Sequence, residues 1–408
     1  MNVFSLEKLK ELEHQIGDYK EYDLFKIMAI ELALISSNNE AIKLATFGKF
    51  FFFYNFEKLR LNRNLFFAIG NHGRKDYNEI INYVKNKFEK SSYSFFDYGK
   101  AKIRLKINVK NILTSLITGI RLKGNISYKN RFLIASKICF YKNTIDNLEK
   151  VKLEDSLKKA IVFSSVHPLE GLFLYFFKKR KTPVYSLQHG VYYIYKKTPP
   201  IDCILYENFN ADFHLCWGEY SKKELISYGI NRDKILVAGY PKNSELRINT
   251  NIITEKCIVL LARSIFNESN KKLISVLKQF IKKEPKAEFY FKLHPSLNRG
   301  DYNDVLNTNN FFLIDDEITL KEILIKSDYS KAICVYTTAY YEAYLNGIVA
   351  LRYYDGKSEL SEGVQDDVFE NIDDLLRVFN LSFSKNEIER KLQHVIGLNV
   401  DNYFEILN

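Results

Sequence analysis

The chain has 408 residues, 46% of them hydrophobic and 27% charged, which is enough for two ordinary domains and excludes extended disorder. Its 60 Lys+Arg against 49 Asp+Glu leave a formal charge of +11, which favours anionic partners without choosing among nucleotides, phospholipid head groups and nucleic acid. The five cysteines are widely spaced, odd in number and without zinc-ligand or redox spacing, as expected of buried thiols in a reducing cytoplasm.

Met1 to Lys20 is polar and lacks the apolar stretch of a signal peptide. No run of about 18 apolar residues occurs, so no spanning helix is expected. Leu6 to Ile16 and Tyr22 to Ser36 place apolar residues at helical spacing. Asn64 to Gly70 reads as a strand running into a glycine turn. The polar loop Asn71-His72-Gly73-Arg74 and a helix over roughly Asp76 to Glu89 follow it. Lys100 to Glu149 reads as mostly helical and basic.

From about residue 159 strands and helices alternate. Ala160 to Val166 is a strand, followed by the loop His167-Pro168-Leu169-Glu170-Gly171 and a helix to Lys179. Pro183 to Leu187 is the next strand and runs into Gln188-His189-Gly190. Phe213 to Trp217 is a strand, Gly218 to Tyr228 opens and forms a helix, and Ile235 to Ala238 is a strand ending in Gly239-Tyr240-Pro241-Lys242. Polar residues from Asn243 to Glu255 interrupt the rhythm and read as an interdomain linker. The second series has strands over Cys257 to Ala262, Ala287 to Leu293, Phe311 to Ile314, Ala332 to Tyr336 and Ile348 to Tyr353. Between them lie helices over Asn270 to Lys283, Leu320 to Ser327 and Ala339 to Asn346, and Asp366 to Phe379 and Asn386 to Ile396 close the chain as helices. Such alternation implies parallel sheets flanked by helices. The expected division is an N-terminal domain over 1–245, its first 150 or so residues divergent and helix-rich, a C-terminal domain over 246–380 and a helical tail over 381–408.

In open α/β sheets, ligands bind beyond the carboxyl ends of the strands. The histidines there are therefore the candidates for chemistry. His189 lies between Gln188 and Gly190, where glycine allows close approach of a ligand, and a strand-end histidine can serve as a general base. His167, with Pro168 and Glu170, sits on a neighbouring strand end, and His72 follows the first strand. In the second series His294, fixed by Pro295 and preceded by Lys292, can donate to a phosphate or protonate a leaving group. Thr337 and Thr338 stand at a strand-to-helix turn, where they either cap the helix or bind phosphate oxygens. Glu342, one turn on, can accept from ribose hydroxyls or face solvent. Arg263 and Ser264 form a third potential anion loop. The basic clusters Lys178-Lys179-Arg180-Lys181, Lys196-Lys197 and Lys271-Lys272 read first as solvated ends and second as a membrane-surface patch. Walker, Gly-x-Gly-x-x-Gly, Gly-x-Ser-x-Gly and His-Glu-x-x-His strings are absent, as are clustered metal ligands and Asp-x-Asp.

Leu187-Gln188-His189-Gly190, Cys216-Trp217-Gly218-Glu219-Tyr220 and Val237 to Lys242 resemble motifs of the GT-B superfamily of nucleotide-sugar glycosyltransferases, as do Lys292-Leu293-His294-Pro295 and Thr337 to Ala343. The likeness is to bacterial surface-polysaccharide enzymes: capsule sialyl- and Kdo-transferases and teichoic-acid glycerophosphotransferases. It spans about Ala160 to Tyr354. The resemblance implies an α/β, GT-B-like fold in which two Rossmann-type domains face a central cleft, with extra N-terminal helices. It assigns His294, Pro295, Thr337 and Thr338 to the donor's cytidine phosphate; Lys292, Arg263, Ser264, Glu342, Gly239 and Lys242 are read beside them as further donor-side candidates from their own positions in the sequence. The resemblance suggests His189 as the base; from the residues themselves Glu170 or His167 can stand in its place, and Gln188, Gly190 and His72 are read as lying on the acceptor side. Where many sialyltransferases carry an acidic pair before glycine, this chain has Gln188-His189-Gly190.

The function the resemblance implies is that of an inverting, metal-independent glycosyltransferase that moves a sugar from a nucleotide-activated donor, CMP-linked and of the sialic acid or Kdo type, to a hydroxyl of a bacterial surface glycan (capsule, lipopolysaccharide or O-antigen). It is expected in the cytoplasm, peripheral on the inner membrane face through its basic clusters. It has no cofactor besides the nucleotide-sugar substrate, it acts on a glycan or glycolipid, and it has no nucleic-acid partner. Alternatives are a CDP-glycerol or CDP-ribitol polyol-phosphate transferase of the same fold, a nucleotide-sugar epimerase, and a basic nucleic-acid-binding protein or non-catalytic scaffold.

Overall fold

Buried parallel strands need apolar side chains on both faces, and the runs of this chain supply them. The computed structural model describes residues 4–36, 42–70, 75–196, 199–242, 246–247, 255–304, 306, 308–326, 328–382 and 384–408. The N-terminal region begins with helices α1 (Leu6–Glu13), α2 (Leu24–Ser36) and α3 (Leu44–Gly48), then strand β1 (Phe52–Asn55). β2 (Leu65–Ile69) follows, with all five residues buried. After it come α4 (Lys75–Lys85), β3 (Tyr93–Asp97), β4 (Lys102–Leu105), α5 (Val109–Arg121) and the long α6 (Tyr128–Leu148). The regular alternation then runs through β5 (Lys159–Val162), α7 (Pro168–Lys179), β6 (Val184–Leu187), α8 (Ile204–Glu207), β7 (Phe213–Cys216), α9 (Glu219–Ser227) and β8 (Ile235–Val237).

The first sheet has the order β3-β2-β5-β6-β7-β8 and is parallel throughout. The chain therefore runs outward from β2 to β3 and resumes on the other side of β2 with β5. The strand order reverses between β2 and β5, and a crevice opens at such a reversal. β1 and β4 stand apart as an antiparallel pair against α6. Of the expected linker, Asn243 to Glu255, only residues 246–247 and 255 are described.

The second sheet is built from β9 (Lys256–Leu260), α10 (Asn267–Lys283), β10 (Glu288–Lys292), α11 (Gly300–Asn303), β11 (Phe311–Leu313), α12 (Leu320–Lys326), β12 (Lys331–Val335), α13 (Ala339–Leu345), β13 (Val349–Tyr353) and β14 (Val368–Phe369). Its order is β11-β10-β9-β12-β13-β14, again all parallel, with the reversal between β9 and β12. α14 (Ile372–Val378), α15 (Lys385–Ile396) and α16 (Tyr403–Leu407) complete the chain. The arrangement is the expected GT-B-like one of two Rossmann-type domains around a cleft.

Several elements differ from the sequence reading. β1, β3 and β4 occupy stretches that carried no strand signal, because their side chains are half-exposed in β1 and β3 and exposed throughout β4, and mix aromatic, polar and basic residues. Asp366 to Phe379, expected as one helix, is β14 followed by α14, since Asn371 caps a helix that starts only at Ile372. The tail also returns to the first domain: Asn402 N–H donates to the Ala238 carbonyl at 2.9 Å, and the Tyr403 hydroxyl to the Gly239 carbonyl at 2.9 Å. Gly239 has φ +104°, and a Cβ there would lie 1.8 Å from the Val400 carbonyl oxygen, so only glycine fits.

One core packs α1, α2, α6 and α7 on the first sheet, a second runs from that sheet through α13 to the tail, and a third lies between the second sheet, α10 and α14. Among the described residues, no helix is long and apolar enough to cross a membrane.

Candidate functional site

The carboxyl ends of both sheets open onto a shared cleft of about 360 Å³, lined from the first domain by His167, His189, Gly190 and Asp202 and from the second by Arg263, His294, Thr337 and Thr338. Both strand-order reversals point into it. At the first reversal stands His167, at the second Arg263 and the Thr337-Thr338 turn.

His167 is set by local sequence. Pro168 occupies the first helical position of α7, which leaves Glu170 in the first turn, three residues on. Glu170 is fully buried, and its Oε2 lies 2.9 Å from His167 Nδ1. Its Oε1 accepts the Gly70 backbone N–H at 3.0 Å, which ties the end of β2 to α7. A carboxylate only accepts, so the proton sits on Nδ1 and the lone pair on Nε2. That tautomer makes His167 a base.

His294 is held in the opposite tautomer. Its Nδ1 accepts the Ser296 backbone N–H at 3.1 Å and lies 2.9 Å from Ser296 Oγ, so the proton belongs on Nε2. Ser296 Oγ is in turn fixed by the Ser264 N–H at 3.0 Å. His294 can therefore donate to an anion while His167 accepts from a hydroxyl.

His189 packs beside His167, ring centroids 6.1 Å apart, between Phe163 at 5.3 Å and Tyr77 at 5.5 Å. Gln188, buried behind it, is a bracket. Its Oε1 accepts the Trp217 N–H at 2.7 Å, and its Nε2 donates to the Gly190 carbonyl at 2.7 Å and to Ser221 Oγ at 2.9 Å. The loop is thereby fixed close to the second domain, and a Cβ on Gly190 would sit 3.9 Å from Thr338 Cγ2.

Thr338 precedes α13, and its side chain makes no capping hydrogen bond, whereas Thr337 Oγ1 accepts the Ala339 N–H at 3.3 Å. Tyr336, just before them, has φ +40°, a rare conformation for a residue with a side chain, held by its hydroxyl's 2.8 Å bond to Asp355. Backbone strain at a strand end commonly accompanies ligand sites.

The remaining expected residues divide. Arg263 reaches the cleft but forms a two-pronged pair with Asp202 of the first domain, one contact at 2.9 Å. Glu342 pairs across the domains with Lys242 at 2.9 Å, and neither lines the cleft. Lys292 turns away to donate to the Asp315 and Asp316 carbonyls. Gly239 serves the docked tail, Gln188 the loop behind His189, and Pro295 and Ser264 lie outside the lining. His72 falls outside the described residues.

Sequence reasoning missed Asp202, Arg352 and the tyrosines of the cleft. Arg352 Nε donates to the fully buried Asp367 at 2.8 Å and its Nη1 to the Ser361 carbonyl at 2.6 Å, which shapes the loop beside the Thr turn. The only early signal was an arginine inside the apolar run Ile348 to Tyr353. His214 is buried on Ser186 Oγ at 2.8 Å, and burial pushes its pKa down to about 3. Among the described residues, no group of three or more His, Cys, Asp or Glu side chains is arranged to hold a metal ion.

No family model matches the sequence, and no curated protein matches it. Solved structures are similar in outline. The Staphylococcus aureus MnaA–UDP co-structure has TM-score 0.49 and 12% identity over 84% of this chain and 92% of that one. The Methanocaldococcus jannaschii UDP-GlcNAc 2-epimerase complex with UDP-GlcNAc and UDP has 0.49 and 13% over 81% and 98%. The lipopolysaccharide outer core galactosyltransferase WaaB, apo form, has 0.45 and 12% over 84% and 98%. Likenesses this distant do not bear on the reaction.

Proposed function

We propose that the protein is an inverting, metal-independent glycosyltransferase that moves a sugar from a nucleotide donor, CMP-linked and of the sialic acid or Kdo type, to a hydroxyl of a bacterial surface glycan. The observation that carries the reading is the pair of histidines in opposite tautomers on opposite walls of one cleft. Such a pair is the equipment of a displacement that needs a base at one end and a hydrogen-bond donor at the other.

The donor's phosphate lies against His294 Nε2–H, the Thr337 and Thr338 hydroxyls and Arg263. Asp202 grips Arg263 in the forked geometry that a phosphate takes, so a phosphate and Asp202 compete for the same guanidinium. His167 Nε2 takes the proton of the acceptor hydroxyl while that oxygen bonds to the anomeric carbon. The bond from that carbon to the phosphate oxygen breaks, and the nucleotide leaves with the electron pair. Fixed donors stabilise the charge that develops on it. His189 lines the acceptor side beside the base. The motif likeness around His294-Pro295 and Thr337-Thr338 supports the cytidine base.

The test is nucleotide release from CMP-N-acetylneuraminate, CMP-Kdo, CDP-glycerol and UDP-N-acetylglucosamine, each with a polysaccharide acceptor. The reading expects turnover with a CMP-sugar, reduced about 10²- to 10⁴-fold in His167→Ala with nucleotide binding retained. Turnover with CDP-glycerol alone would make it a polyol-phosphate transferase. Free epimerised sugar without acceptor would discard the transferase reading.

A further inference from the structure

Beyond the cleft, α5 is turned inside out for a helix in water. Asn111, Ser115 and Gly119, spaced four apart, are buried against α6. Gly119 packs so closely that a Cβ would meet the Ala135 side chain and the Arg131 carbonyl at 2.8 Å. Outward face Val109, Leu113, Ile117 and Ile120, which are 62, 55, 46 and 72% exposed. Small residues in the contact and apolar residues outside is the pattern of a helix whose surroundings are apolar.

The β1–β4 pair continues this surface. Its register sets Phe52 opposite Leu105 and Tyr54 opposite Ile103, so the four share one face. More than half of the exposed large apolar side chains among the described residues lie in 42–52 and 103–128, which makes this a patch and not a scatter. Its charge is mainly basic: from Tyr98 to Ile145 the sequence holds eleven Lys or Arg and no Asp or Glu, although Lys137 and Lys142 are buried and Arg104 pairs with Glu57. A second copy docking symmetrically here would set like charge against like. An anionic bilayer meets both the apolar and the basic character.

A cavity of about 420 Å³ adjoins the patch. Phe52, Tyr54, Ile103 and Phe140 line it, and so do His167 and Leu169. His167 therefore borders both this cavity and the interdomain cleft. We propose that α5 and the β1–β4 pair seat the protein on an anionic lipid bilayer, and that the adjoining cavity admits a lipid-borne hydroxyl compound to His167. The second half rests on the reading of His167 as base: the lipid-borne hydroxyl loses its proton to Nε2 and its oxygen bonds to the donor's anomeric carbon, as above.

The full chain is sedimented with phosphatidylcholine vesicles with and without phosphatidylglycerol. Binding to the phosphatidylglycerol vesicles is expected, weakened by salt and lowered about tenfold or more in Leu113→Asp/Ile117→Asp, whose exposed positions leave the fold intact. The cavity is probed with n-octyl β-D-glucoside below its micelle concentration. It is expected to slow carbethoxylation of His167, read by mass spectrometry, where glucose does not, and Ile103→Trp is expected to abolish the protection. The proposal is overturned by equal sedimentation of the wild type with and without phosphatidylglycerol, by undiminished vesicle binding of the double variant, or by a dimer in light scattering that this variant dissolves. Equal protection by glucose, or none by the glucoside, overturns the cavity assignment. None of these readouts needs turnover, so a failed transferase reading leaves them standing and their failure leaves that reading standing.

Discussion

Glu170→Gln separates the tautomer argument from every other account of the site. Glu170, itself fully buried, accepts the Gly70 N–H on Oε1 and the His167 Nδ1–H on Oε2. A glutamine of the same shape has one acceptor oxygen, so its amide nitrogen must face one of the two donors. The Gly70 N–H cannot move its proton, whereas the imidazole can. The stable arrangement gives the oxygen to Gly70 and turns the amide N–H toward Nδ1, which drives the His167 proton to Nε2. The base is then blocked. A fixed wrong tautomer costs about 10³- to 10⁴-fold in kcat, or about 4–5.5 kcal/mol of barrier. Nucleotide affinity is expected to hold within about threefold, because the phosphate ligands lie on the other domain. Stability falls by about 1–3 kcal/mol from the lost charge-assisted bond. The assay is nucleotide release at saturating donor, with calorimetric donor affinity and a thermal melt on the same preparation. A folded variant with kcat within about threefold of wild type would refute the reasoning, as would a loss of kcat matched by a loss of nucleotide binding.

Three further outcomes follow from the same geometry. Asp202→Asn releases Arg263 from its partner and should tighten nucleotide binding about three- to tenfold, whereas Arg263→Ala should weaken it; titration calorimetry reads both. His214 titrates at its ordinary 6.5 in the unfolded chain and at about 3 when buried, so stability is complete above pH 6.5 and falls as the unfolded chain takes up its proton below it. The loss is about 2 kcal/mol by pH 5, so urea unfolding at pH 7.5 and 5.0 should show the wild type losing that much more than His214→Gln. Equal losses would contradict it. Gly239→Ala should cost about 3 kcal/mol or more and lower the melting temperature, because the new methyl meets the Val400 carbonyl at a backbone angle that alanine resists. An unchanged melt would show that the tail docks otherwise.

The sheets were legible because their strands are buried on both faces and so read as apolar runs, such as Leu65 to Ile69 and Cys257 to Leu260. β1, β3 and β4 lie at edges or on the surface, where mixed polarity leaves no period to detect. The turns after β5, β6, β10 and β12 could be found from strand ends alone, and Pro168 already placed Glu170 one turn from His167. Pairings between distant segments could not be found. Nothing local links Asp202 to Arg263 or Lys242 to Glu342, and Gly239 reads as a ligand loop until the tail is seen lying on it. The inverted α5 was hidden as well, because its apolar period looks the same whichever way the stripe faces.

The most direct measurement is calorimetric titration of CMP, CDP, UDP, GDP and ADP into the wild type and into His294→Ala. Selective binding of CMP is expected, weakened about ten- to a hundredfold in the variant through loss of one hydrogen bond to a charged phosphate. Binding of no nucleotide, or equal CMP affinity in both proteins, would contradict the assignment of His294 and the Thr337-Thr338 turn to the donor.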